Sequence, residues 1–295
     1  MWLLVPYLGF AARPVVGFVQ HFYRRRVSRA LLLFGALLVP YVLVAAPNAQ
    51  HSLGVFANGL LAMAAYVFIP GTLAIYRQKS TKPRPLDLAD VLVLLMVWLP
   101  LEFGWLPAAG VVVVGVSVSL TQLTGVMLLL LVFTVIRPLG QIGYTFSLTQ
   151  RDLTVVGKAT LVFLAVGVPL GLLAGFIAWR PPQAFFIDAL LLRFAAIFLL
   201  VGLPEELFFR GVLQNLVERR FGERHAALII AAFLFGAAQL NNSPAPHYTS
   251  ALFATAAGIA YGWVWMRTRA ATAAALTHTL VNWVWAVFLG GGFGL

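Results

Sequence analysis

AFFIDALLLRFAAIFLLVGLPEELFFRGVLQNLVERR, residues 184–220, is an apolar run more than long enough to cross a bilayer, yet Glu205, Glu206 and Arg210 lie inside it. About 20 apolar residues of helix span the hydrocarbon core, and only helices or closed barrels satisfy their backbone there. The stretch therefore predicts a membrane helix. These three charges are costly at membrane depth, so they are expected to face a bundle interior rather than lipid.

Working outward, the rest of the chain has the same character. Of its 295 residues 61% are hydrophobic and 10% charged, with a mean hydropathy of +0.93, against roughly 45–50% apolar and about 25% charged in soluble domains. The expected fold is all-α, a polytopic transmembrane bundle of about 8–10 helices. Nine runs qualify: 30–46, 52–76, 89–105, 108–136, 153–179, 184–203 with its continuation, 225–240, 248–266 and 271–290. The run 108–136 reads as one tilted span or as two pieces meeting near Thr121–Gly125. Residues 1–152 form an N-terminal set of helices and 153–295 a second region, within one continuous membrane domain. The opening MWLLVPYLGF leads to HFYRRR rather than to a small-residue cleavage site, and is expected to be interfacial or a short first segment.

The net charge of +11 does not point to nucleic acid, because the basic residues cluster at the ends of apolar runs. Arg24–Arg26 with Arg29; Arg77, Lys79, Lys82 and Arg84; Arg137 and Arg151; Arg219, Arg220 and Arg224; and Arg267 with Arg269 all fall on one side if the spans alternate, which makes that side cytoplasmic. From the short loops and the lack of an organelle signal, a multi-pass protein of a bacterial inner membrane is expected. The absence of cysteine excludes disulfides, thiolate ligands and cysteine nucleophiles. Arg193 with Asp188, and Glu102, read as interfacial residues.

Depth can be estimated from helical rise. Counted from the basic clusters, Glu205, Gln239 and His278 lie roughly 20, 21 and 12 Å along their helices, which allows one common layer. Pro204 suits a first helical turn, so a helix starting there within the membrane is expected, its N-terminal dipole favouring the Glu205 carboxylate. Glu206 and Arg210 are four apart and can pair; Glu205 is about 100° round and can face a cavity. His278 and Asn282 share a face of the last span, and Phe235 and Gln239 share another.

At these residues the chain resembles the CPBP family, also called Abi: intramembrane proteases related to CAAX prenyl endopeptidases and to bacteriocin-processing or immunity proteins. That family carries EExxxR, FxxxH and HxxxN on successive helices. EELFFR supplies Glu205, Glu206 and Arg210, and HTLVN supplies His278 and Asn282, while FGAAQ has Gln239 in place of the histidine; the likeness covers residues 200–287. The resemblance implies a catalytic set of Glu205, Glu206, Arg210, Gln239, His278 and Asn282 in the region 153–295. Glu205 would activate water against a peptide bond, His278 and Asn282 would stabilise the oxyanion, and Glu206 with Arg210 would be scaffold.

It also implies no cofactor and no metal; the alternative zinc triad of Glu205, Gln239 and His278 suffers from a glutamine carbonyl where imidazole is wanted. The partners expected are the lipid bilayer and a peptide or membrane-protein substrate, with no nucleic acid. Glutamine cannot exchange a proton, which keeps open a non-catalytic relative acting in peptide binding, immunity or sensing. His247 would be a distant source of an imidazole. A proton-coupled transporter using Glu205 and His278 is the third reading, though no internal symmetry supports it.

Overall fold

A computed structural model describes residues 3–48, 52–78, 86–113, 116–182, 186–241 and 247–291. Lys79, Lys82 and Arg84, the middle of the NNSPAPHY loop and the end of the GGGFGL tail lie outside them. The chain divides into two compact units, Met1–Gly140 and Gln141–Leu295, and it is helical nearly throughout.

In the first unit the elements are α1 (Leu4–Gly9), α2 (Arg13–Tyr23), α3 (Val27–Ala36), α4 (Val39–Ala45), α5 (Leu53–Gln78), α6 (Leu88–Glu102), a hairpin of β1 (Gly110–Val113) and β2 (Val116–Ser119), and α7 (Leu120–Ile136). The run 108–136 is thus neither one span nor two helical pieces. Its first third is rich in valine, whose branched side chains favour extended backbone, and it pairs Gly110 with Ser119 through Val113 with Val116. Ser119 then accepts a hydrogen bond from the Gln122 amide (3.2 Å) and starts α7. That helix is apolar on every side and becomes the core of its unit, packed by α1, α4, α5 and α6. A capping box of Asp87 and Asp90 opens α6, and the two carboxylates pair with Arg77 and Arg137.

The second unit holds α8 (Gln150–Leu173), α9 (Ile187–Phe221), α10 (Arg224–Ala238), α11 (Tyr248–Thr268) and α12 (Ala271–Phe288), with a small ribbon of β3 (Ile177–Trp179) and β4 (Leu289–Gly291). Thr149 and Asp152 form a reciprocal capping box at the start of α8. α10 packs closely on α11, and α8 on both α11 and α12. α11 passes into α12 through Arg269, whose φ of +55° is the left-handed region that a long side chain seldom adopts. Two hydrogen bonds from its guanidinium to Glu218 on α9 (2.8 and 2.7 Å) hold it there.

α9 corrects the expected helix start at Pro204. Gly202 and Leu203 have helical backbone and the helix runs unbroken for 35 residues. Proline removes one helical hydrogen bond and crowds the preceding turn; a π-helical turn over Phe198–Gly202, just before Pro204, absorbs it. A second π-helical stretch follows at Leu207–Gln214. With no helix end at Pro204, no N-terminal dipole acts on Glu205.

Among the described residues five helical stretches are long and apolar enough to cross a membrane: 27–45, 53–78, 150–173, 187–221 and 224–241. Of the remaining predicted spans, α6 stops after 15 residues, and α11 and α12 are diluted by small and polar side chains. Those side chains build the site described next.

Candidate functional site

Three helices of the second unit supply one buried hydrogen-bonded chain. From α9, Arg210 donates through Nη1 to Glu206 Oε1 (3.0 Å), the two residues lying one turn apart. From α12, His278 Nδ1 meets the same oxygen at 3.0 Å, and its Nε2 lies 3.0 Å from Asn282 Nδ2. A carboxylate only accepts and an amide nitrogen only donates, so His278 carries its proton on Nδ1 and accepts at Nε2. From α11, the Gly258 carbonyl accepts from Arg210 Nη2 (3.0 Å). Glu206 and Arg210 are wholly buried, His278 and Asn282 nearly so.

Aromatic rings close the cluster. Tyr261 stacks flat on His278 (4.6 Å between centroids, 12° between planes) and Phe235 meets the imidazole edge-on (5.7 Å, 87°). The Arg210 guanidinium lies 4.6 Å from the Phe235 centroid, 5.5 Å from that of Tyr261 and 5.7 Å from that of Phe209. A buried charge is tolerated when it is paired, hydrogen-bonded and matched to polarisable surroundings. Here the cation has all three.

The sequence-predicted residues divide into two groups. Glu206, Arg210, His278 and Asn282 form the chain just described. Glu205 and Gln239 are half-buried. Glu205 is the next residue round on α9, its charge reaching Arg210 and Tyr261. Gln239 begins a 3-10 turn, Gln239–Asn241, that continues α10 beyond Phe235. His247 instead caps α11, its Nδ1 accepting from the Ser250 amide (3.1 Å). Arg193 donates to the Ala286 carbonyl (3.0 Å), and the Trp98 indole to Glu102 (3.1 Å).

Among the contributors absent from the sequence reading, besides the Phe209 ring, two stand out. Tyr261 is one; the other is Gly258, where a Cβ would sit 3.0 Å from Ala232 Cα and 3.2 Å from Arg210 Nη2. The signal was present in GIAYG, residues 258–262, a pair of glycines four apart that lets membrane helices approach closely.

The arrangement offers a fixed carboxylate–imidazole–amide relay, a second carboxylate beside it and a spare amide N–H on Asn282. Among the described residues no three His, Asp or Glu side chains converge as a metal-ligand set. Glu206 Oε1 is moreover already shared by a guanidinium and an imidazole, an unfavourable place for a cation.

Residues 187–284, from the start of α9 to near the end of α12, match the family model described as Type II CAAX prenyl endopeptidase Rce1-like. No curated protein and no solved structure matches the chain. The matched segment contains every residue of the buried chain.

Proposed function

Through residues 187–284 this chain is a member of the CPBP family of CAAX-type proteases, and from that premise we propose that it is an intramembrane endopeptidase acting on a peptide or membrane-protein substrate in a bacterial inner membrane. Glu205 takes a proton from water as the oxygen attacks the peptide carbonyl. Gln239 positions that water through its amide. Asn282 uses its remaining N–H on the oxyanion, and Glu205 returns the proton to the departing amine as the C–N bond breaks. His278 orients Asn282, Glu206 orients His278, and Arg210 holds the Glu206 carboxylate in place. None of these steps calls on a metal.

The observation that supports this reading most is the double engagement of His278, bonded to Glu206 at one nitrogen and Asn282 at the other. Such bonding fixes the ring's tautomer and aims the amide. A bundle that needed only an interhelical bond would be served by one of the two.

Gln239 favours a second reading, a relative that binds peptide without cleaving it, since general acid–base assistance is worth about 10²–10⁴-fold and glutamine supplies none. Both are tested with purified protein in nanodiscs and a set of membrane-anchored and CAAX-like reporter peptides. Cleavage by the natural chain, lost in Glu205→Ala and His278→Ala and accelerated in Gln239→His, supports the protease. Cleavage only after Gln239→His supports the binder. No cleavage by either, with the proteins folded, overturns the peptidase mechanism.

A further inference from the structure

The polar contacts of α9 do not stop at Arg210. Glu206, Arg210, Gln214 and Glu218 follow one another at four-residue intervals, and the last three bond to α11 or to Arg269 just past its end. Arg210 donates to the Gly258 carbonyl (3.0 Å), Gln214 donates to the Gly262 carbonyl (3.3 Å), and Glu218 accepts both bonds from Arg269. In an α-helix of about 3.6 residues per turn such a series drifts sideways by roughly 40° at each step. The π-helical stretch Leu207–Gln214 is underwound, which holds the first three nearer to one line. Gly258 and Gly262 let the polar side chains of α9 reach the α11 backbone: a Cβ at 262 would lie 2.7 Å from Gln214 Oε1.

Along this seam four buried side chains each leave a polar group bare. Glu206 Oε2, Arg210 Nε, Gln214 Oε1 and Trp265 Nε1 are buried without a hydrogen-bond partner from protein. An unpaired buried polar group costs about 1–3 kcal/mol, and proteins meet such needs with internal water that bridges several polar groups. The seam ends at a cavity of about 250 Å³ lined by Gln141, Asn215, Glu218, Arg219, Trp265 and Arg269, at the end of the helices that carries the basic residues.

We propose that the α9–α11 seam binds a file of water molecules joining this basic-end cavity to the free oxygen of Glu206, over about 18 Å of helix. Donors and acceptors alternate along it: the Trp265 N–H, the Gln214 carbonyl oxygen, the Arg210 N–H and the Glu206 carboxylate oxygen. Water on such a line hydrates the Glu206–His278 pair from the aqueous face, independently of any substrate entering from the lipid. Its purpose, resupply of water and protons to the site, rests on the peptidase reading; its existence does not.

X-ray-generated hydroxyl-radical labelling tests the file directly, because bound water is radiolysed in place. The protein is held in nanodiscs, and each rate is divided by that of the same side chain in the unfolded chain. Tyr261 and Trp265, each only 1% exposed, are expected to be labelled at least 10-fold faster on this scale than Tyr7 and Phe34, which are equally buried in the first unit. Gln214→Leu, placed between them, is expected to slow Tyr261 several-fold and leave Trp265 beside the cavity unchanged.

Labelling of Trp265 and Tyr261 as slow as that of Tyr7 overturns the proposal. So does a Tyr261 rate indifferent to Gln214→Leu, which would mean hydration from the substrate side. If Gln214→Leu fails to fold, the comparison within the natural protein decides alone. Peptide cleavage enters at no point, so loss of the peptidase reading and loss of the water file are separately visible.

Discussion

Replacing Arg210 by methionine removes the cation from a pair in which both side chains are wholly buried. The Glu206 carboxylate then keeps His278 as its partner but loses its counterion, and breaking a buried pair from one side costs about 3–5 kcal/mol. Glu206→Gln leaves the mirror-image problem, an arginine among Phe209, Phe235 and Tyr261 with no carboxylate, at a comparable cost. The double variant buries no charge at all. It forfeits the Gly258 bond, about 1 kcal/mol, and the contacts of the guanidinium with three rings, about 1–2 kcal/mol. It is therefore expected to be no less stable than either single variant. The coupling energy is about 3 kcal/mol or more, at the top of the range for side chains in contact. Reversible unfolding by SDS in mixed micelles, followed by circular dichroism, measures all four corners of the cycle. Costs that add to within about 0.5 kcal/mol would show that the two charges are independent, and the reasoning from mutual burial would be wrong.

Two other tests follow from the geometry. Histidine-selective ¹⁵N NMR is expected to find His278 as the Nδ1–H tautomer in the natural protein; a proton on Nε2 would contradict donation from Asn282. Thr149→Ala removes the capping box at the start of α8 and is expected to cost about 1 kcal/mol in the same SDS titration, while Thr154→Ala, further along that exposed helix, costs less.

The charges in the apolar run were enough to single out Glu206 and Arg210 of the buried chain, because lipid makes every buried ion conspicuous. Residues four apart on one helix were equally legible: Glu206 with Arg210 and His278 with Asn282 pair as their spacing predicts. The bond between Glu206 and His278 was not, since it joins positions 72 residues apart and depends on how α9 lies against α12. Nor does hydrophobic periodicity reveal a π-helical turn, so Pro204 read as a start when it is a widening within a longer helix. In the first unit the valines of 111–118 are as apolar as any membrane helix; only their branching marks a hairpin, and the apolarity of the whole run concealed it.

The left-handed Arg269 has a bearing on movement. With a single extended residue, Ala270, between it and α12, and with its side chain clamped to Glu218, the corner has almost no slack. Tyr261 and His278 sit on opposite arms of that corner and stack face to face, so the two arms swing together or not at all. Relaxing the corner, for instance by Arg269→Gly, is then expected to loosen the Tyr261–His278 stack.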